Sequence, residues 1–276
     1  MSAVSLDMRN TVGIEAKRFL LEHGFKKPPL DPNEALAARD LQITQYSLDD
    51  LLVEMHLENG NKIQAMLNTR DKQITFRSGL PTQKRNWGSL HEVGHEFLPW
   101  HREILYYCPL LWLPTSIQDE IEAEADTFAA ECFFFGDQFD KIAQGGDFGF
   151  STAIDLAEYF GTSKHATFIH YVERSLTPCC LLVWKPNEYR IKESTGTTLQ
   201  QYVKSDGFKF HFEPGQQTDA EDVITQLMVG SKKGIVQHEM EFELDGKTLS
   251  IPVESFSNSY QVFTLVSEIP SARNNP

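Results

Sequence analysis

The sequence predicts an α+β chain: a mainly helical first part with a small antiparallel sheet, then a β-rich second part. Three observations carry this. Helical apolar spacing with end signals marks "GIEAKRFLLEHGF" and "SIQDEIEAEADTFAAECFFF", and apolar positions alternate over residues 53–76. From Cys179 onward the pattern turns to strands, in "CCLLVWK", "GFKFHFE", "IVQHEMEFELDGKTLSIPV" and "YQVFTLVSE". A domain boundary near 178, separating 1–178 from 179–276, follows from that switch.

Each element has its own signal. Gly24 closes the first helix, and Asp31 with Pro32 reads as the cap and first position of a short second one. Val53, Met55, Leu57, then Ile63, Ala65, Leu67, then Ile74 and Phe76 read as a three-stranded antiparallel meander, turning at Asn59-Gly60 and "NTRD". The strand "KQITFR" could pair along its edge with an extended peptide. "PWHREILYYCPLLWLPTS" is interrupted by proline and cannot be one helix. Thr115 or Ser116 caps the long helix that follows. "TAIDLAEYF" and "SKHATFIHYVERS" meet at Gly161, with Ser163 as cap. They have the layout of a helix-turn-helix but no basic face, so they read as two packed core helices. Asp245-Gly246 marks a hairpin.

Bulk properties exclude several classes. The chain has 276 residues, 41% hydrophobic and 23% charged, with a net charge of -14. Neither part carries the basic excess of a nucleic-acid binder, so direct nucleic-acid binding is not expected. No apolar run reaches the roughly 18 residues of a membrane span, and residues 1–24 lack the order of a signal peptide. The four cysteines form no CxxC pair, which argues for buried free thiols and a cytoplasmic location.

The chemistry concentrates in "LHEVGHEFLPWH", residues 90–101. On a helix, His91 and His95 lie one turn apart on one face and can aim both imidazoles at one ion. Glu92 then points to the neighbouring edge, where water would sit. Three residues compete to be the third ligand. His101 stands where the metzincin pattern HExxHxxGxxH places its last histidine, but that pattern turns on a glycine where this chain has Leu98. In "EIEAEADTFAAE", Glu122 and Asp126 share a helix face. As in gluzincin-type peptidases, Glu122 would bind the ion and Asp126 would hydrogen-bond a ligand histidine. Ala123, Ala125, Ala129 and Ala130 leave room for the two helices to approach. Glu124, about 200° round the helix from Glu122, is the rival on the same segment.

"RNWGSLHEVGHEFL" followed by "EAEADTFAAECFF" resembles the ImmA/IrrE family of metallopeptidases, whose pattern is an aromatic residue, HExGH, then ExxA(N/D)xFA. The resemblance extends over roughly residues 14–176. It implies a zincin-like domain with one zinc ion per chain held by His91, His95 and Glu122, with Glu92 as catalytic glutamate and Asp126 behind the ligands. Two departures stand out. The family's Leu-Met-Pro ending is replaced by "CFFFGD", and the part after 178 matches nothing specific, although the family's radiation-response branch carries a GAF-like sensor there. The resemblance further implies site-specific cleavage of a helix-turn-helix transcriptional repressor in a stress or mobile-element response. Tyr106, Tyr107, Tyr159, His165 and His170 are candidates to steady the oxyanion. A second reading is a catalytically silent metal-binding sensor or adaptor acting by binding a regulator; the retained Glu92 speaks for the enzyme. In a third, His101 completes a four-ligand structural zinc site.

Overall fold

The computed structural model describes residues 6–54, 64–107, 113–186 and 196–267, apart from 210, 213, 219–221, 231, 245–246 and 259. Its chain contacts divide it into two units, 1–139 with 159–162, and 140–158 with 163–276. The boundary expected at 178 lies inside the second of these. The α+β class holds: among the described residues there are ten helices, a small mixed sheet and a larger antiparallel one.

In the first unit, helix α1 (Leu6–Glu22) and helix α2 (Pro32–Ala37) behave as their signals suggest. Gly24 adopts a positive φ of 76° after α1, and the Asp31 side chain accepts the Asn33 N–H at 2.8 Å. Strand β1 (Gln42–Ile43) and helix α3 (Leu48–Glu54) follow. The meander expected over 53–76 is therefore corrected. Ser47 caps α3 by accepting the Asp49 N–H, and Leu48 and Leu52 are buried one turn apart while Val53 is exposed. That 3.6-residue pattern, with acids in the first turn, outweighs the alternation read from Val53 onward. Met55, Leu57, Ile63 and the Asn59-Gly60 turn lie outside the described residues.

Strands β2 (Ala65–Asn68) and β3 (Gln73–Phe76) form the expected antiparallel hairpin, with the Asn68 side chain accepting the N–H groups of Arg70 and Asp71 across the turn. The third strand is β1, paired parallel to β3, so the sheet is mixed, with order β1-β3-β2. The central position goes to β3, which corrects the expectation that "KQITFR" offers a free edge. Its backbone is flanked by β1 on one side and β2 on the other.

Helix α4 (Thr82–Phe97) carries HEVGH, and helix α6 (Thr115–Phe134) carries the acids. Thr115 is the first residue of α6 and Pro114 precedes it, so neither Thr115 nor Ser116 caps it. The motif glycine, Gly94, is where α4 meets α6. A Cβ there would sit 3.1 Å from the Phe128 ring, so any larger residue would push the two helices apart by a few tenths of an ångström. Around the contact, Phe19, Phe97 and Phe128 pack with ring centroids 5.2–5.7 Å apart, and Ala125 and Ala129 are fully buried. On the other side of α4, buried Glu96 takes a two-pronged bond from Arg39 (2.6 and 3.0 Å) and a third from Lys72 (3.2 Å). One carboxylate thus ties α4 to the end of α2 and to the β2–β3 turn. The departure "CFFFGD" is core material: Cys132, Phe133, Phe134 and Phe135 are all buried, and Phe135 ends the helix in the left-handed conformation at φ 52°.

Helix α5 (Pro99–Tyr107) follows α4 after a single residue. Leu98 is extended (φ -65°, ψ 118°) and buried, and Pro99 opens the new helix. The bend needs no glycine, because an extended residue followed by proline turns the chain as sharply. Helices α7 (Asp137–Ala143) and α8 (Phe150–Phe160) come next, then Gly161 at φ 65°. Helix α9 (Lys164–Glu173) is capped by Ser163, which accepts the Ala166 N–H. Ala153, Leu156 and Ala157 of α8, with Thr167, Phe168, Tyr171 and Val172 of α9, are buried, as two core helices require.

The second unit is built on a six-stranded sheet. It comprises β4 (Cys179–Pro186), β5 (Thr197–Lys204), β6 (Gln217–Thr218), β7 (Ile235–Leu244), β8 (Lys247–Ser257) and β9 (Val262–Ser267), in the order β6-β5-β4-β9-β8-β7. All described pairings are antiparallel. Strands β4 and β9 lie in the middle and are buried on both faces, which is why "CCLLVW" is a continuous apolar run and "VFTLV" is broken only by Thr264. One face packs Phe256 and Phe263 against Phe150 and Phe168. The other packs Trp184, Leu182 and Val262 with Phe208, Phe212 and helix α10 (Val223–Met228). "GFKFHFE", expected as a strand, is irregular where described. Its Phe208 and Phe212 side chains are buried while Gly207, Lys209 and His211 are exposed, so the segment is a surface loop anchored by two rings. Cys132, Cys179 and Cys180 are free and buried, and burial pushes their thiols up.

Candidate metal centre

His91, His95 and Glu122 come together in the first unit, each offering one atom within 4.8 Å of the others. Helical periodicity places the two histidines, and the Gly94–Phe128 contact brings Glu122 across from α6. The Nε2 atoms of His91 and His95 are 3.1 Å apart. Glu122 lies 3.3 Å from the first through Oε2 and 3.5 Å from the second through Oε1. A tetrahedral ion with bonds of about 2.0–2.1 Å separates its ligands by about 3.3–3.4 Å, so this triangle has the right size.

The hydrogen bonds behind the triangle fix what those atoms are. Asp126 Oδ1 faces His91 Nδ1 at 2.9 Å and accepts the Trp87 indole N–H at 3.1 Å. His91 therefore donates from Nδ1, and in the neutral ring its Nε2 carries a lone pair. Behind His95, Glu124 Oε2 accepts the Trp100 indole N–H at 2.6 Å and faces His101 Nε2 at 2.7 Å, and His101 Nδ1 faces His95 Nδ1 at 3.1 Å. With Glu124 accepting, the neutral rings can donate only in the order His95 to His101 to Glu124, which again leaves an Nε2 lone pair at the triangle. Two lone pairs and a carboxylate thus converge at 3.1–3.5 Å, an arrangement that repels itself unless a cation stands between. The residues fit a metal ion, and this group can hold one.

Electrostatics agree. Burial opposes protonation of His91, but Asp126 and Glu122 outweigh it and hold its pKa well above the ordinary value. Burial drives His95 down to about 4, against the pull of Glu122. For Glu122, burial works to raise the carboxyl, but the close approach of His91 and His95 outweighs it and keeps the group far below the usual range. Burial pushes the neighbouring Glu92 up to about 7, with the His91 charge working against the rise and that of Glu122 for it. A carboxyl balanced near neutrality can take and return a proton at little cost.

The rivals for third ligand are placed elsewhere. His101 is fully buried behind the His95 ring, on the side away from the triangle, and Glu124 is engaged with His101 and Trp100. Among the described residues, neither joins the group that can hold a metal. Of the oxyanion candidates, Tyr159 is half exposed in the first unit, His165 pairs with Gln261 in the second unit, and His170 is buried there. The side chains of Tyr106 and Tyr107 lie outside the described residues. Sequence reasoning missed Trp87 and Trp100. Each supplies a donor-only N–H to a carboxylate behind one histidine, and an indole beside a polar motif was the available signal.

No family model and no curated protein sequence matches the chain. Among solved structures of similar fold is a chain described as a Mycobacterium tuberculosis transcriptional regulator. Its TM-score is 0.58 at 12% identity, over 95% of this chain and 78% of that one. Likeness at that identity speaks for the fold.

Proposed function

We propose that this protein is a zinc-dependent endopeptidase of the ImmA/IrrE type, acting in the cytoplasm on a helix-turn-helix transcriptional repressor in a stress or mobile-element response. The observation that carries the reading is the triangle of His91, His95 and Glu122 with the buried carboxyl of Glu92 beside it. Two imidazoles and one carboxylate are the protein ligands of catalytic zinc sites that keep a fourth position open. Bound zinc supplies Lewis-acid polarisation of a scissile carbonyl and of water. Glu92 accepts the proton of the attacking water and delivers it to the leaving amine. Asp126 and Trp87 hold His91 in its lone-pair tautomer, and Glu122 brings the negative charge that balances the ion. The net charge of -14 suits a basic DNA-binding substrate. Among the described residues no helix is long and apolar enough to cross a membrane.

The test pairs wild type with Glu92→Gln and Glu122→Ala. Wild type and Glu92→Gln should each bind about one zinc per chain, and Glu122→Ala should bind none. Mixed with small helix-turn-helix repressors encoded beside it and read by mass, wild type should cut its target. Glu92→Gln should be slower by roughly a hundred- to ten-thousand-fold. Equal cleavage by both would remove Glu92 from the chemistry. Metal-dependent binding of the repressor without cleavage would replace the peptidase by the adaptor.

A further inference from the structure

The two histidines of the triangle are supported differently. His91 rests directly on a carboxylate, Asp126. His95 has no acid at its Nδ1; it has another histidine, and the acid comes one ring later. The chain makes this possible by bending at Leu98, which folds the first turn of α5 back against α4 and buries His101 completely. Glu124, on the face of α6 turned away from Glu122, meets it there at 7% exposure. Trp100, the neighbour of His101, donates to the same Glu124 oxygen, so that atom receives two N–H groups at 2.6 and 2.7 Å.

We infer that His101 and Glu124, with Trp100, are positioning residues: a buried relay that holds His95 in the tautomer and orientation that turn its Nε2 lone pair to the ion. The inference rests on the zinc reading above. Its logic is a one-way chain. The indole N–H can only donate and the ionised carboxylate can only accept, so Glu124 takes a proton-bearing Nε2 from His101. That leaves His101 Nδ1 as an acceptor, and His95 must place its own hydrogen on Nδ1. A freely rotating or flipped His95 would present a ring N–H to the ion instead and could not ligate. The relay also passes the carboxylate's negative charge toward His95, which makes its Nε2 a better donor to a metal. In this chain, the histidine ten residues after His91 therefore acts on the ion through His95. It is not a ligand itself.

The experiment uses the full chain and zinc as the probe. His101→Phe keeps the ring volume and removes the acceptor. It should still bind one zinc per chain but about 10- to 100-fold more weakly in a chelator competition, the usual loss when such a partner goes. His101→Gln, whose amide can accept from His95 and donate to Glu124, should recover most of that affinity. Glu124→Gln, which keeps the shape and removes the charge, serves as a milder variant should the phenylalanine protein fail to fold, and should lose several-fold. Nitrogen-15 spectra of the metal-free histidine rings provide a readout independent of activity. Wild type should show His95 protonated at Nδ1, and His101→Phe should shift it toward the other tautomer. Wild-type affinity in His101→Phe with an unchanged His95 tautomer would overturn the relay alone. Complete loss of stoichiometric zinc in His101→Gln would make His101 a ligand and overturn it as well. If wild type itself took up no zinc, the zinc reading would fall and the relay with it.

Discussion

The two units bury polar atoms in opposite ways. In the first, the buried polar side chains include Glu92, His95, Glu96, His101 and Glu124, all titratable and all between residues 92 and 124. In the second they are mostly hydroxyls, Thr197, Ser205, Thr225, Ser255 and Thr264, set among aromatic and branched side chains. Several of these hydroxyls satisfy one another. Trp184 donates to Thr264 at 3.1 Å, Thr264 meets Ser255 at 2.8 Å, and Ser255 meets His238 at 2.9 Å. A buried hydroxyl costs little once it is hydrogen-bonded, whereas a buried carboxylate or imidazole is tolerated only with dedicated partners. Apart from Glu96, which Arg39 and Lys72 hold on the other side of α4, the first unit carries that cost around the triangle. The second has the economy of a packed sandwich. Its central strands are sealed on both faces and, among the described residues, no metal-holding group falls within it.

Substitutions can break that contrast. The largest effect is expected in the second unit, where stability rests on packing. Phe263→Ala removes a fully buried ring that meets Phe168 at 5.1 Å. It should destabilise by about 3–5 kcal/mol in urea unfolding. Zinc stoichiometry should stay near one, and loss of zinc would show that the two units do not keep their roles apart. A somewhat smaller effect is expected for Arg39→Met in the first unit. It strips buried Glu96 of its two-pronged partner, leaving only Lys72, and should cost about 3 kcal/mol. An unfolding midpoint equal to wild type would mean that Glu96 is hydrated rather than held. Gly94→Ala should be mildest, at about 1–3 kcal/mol from overpacking against Phe128. It bears most directly on the site, because pushing α6 away should weaken zinc binding in the same protein. Undiminished zinc affinity would separate the helix contact from the placement of Glu122.

The contrast also explains what could be read in advance. Elements whose signals are local were legible: the Asp31 and Ser163 caps, the turn at Asn68, the helices carrying HEVGH and EAEAD. The segment before Met55 reads as a strand yet is helical, because a short stretch can satisfy both the two-residue and the 3.6-residue period. The choice between them was settled by burial of Leu48 and Leu52. "GFKFHFE" alternates like a strand, yet its phenylalanines are used to plug a core.

By itself the sequence determined the pairing of His91 with His95, since a four-residue step on a helix allows one outcome, and it brought Glu122 and Asp126 to a common face for the same reason. It also left room for α4 and α6 to approach, through Ala123, Ala125, Ala129 and Ala130. Only the tertiary structure decided between Glu122, Glu124 and His101. That choice depends on which face of α6 meets α4 and on how sharply the chain bends at Leu98, and neither is encoded in any local period. The bend sends His101 behind His95 rather than beside it, and the rotation of α6 sends Glu124 after it. Distances of a few ångströms between helices, set by side-chain packing along their whole length, separate a residue that can reach an ion from one that stands behind it.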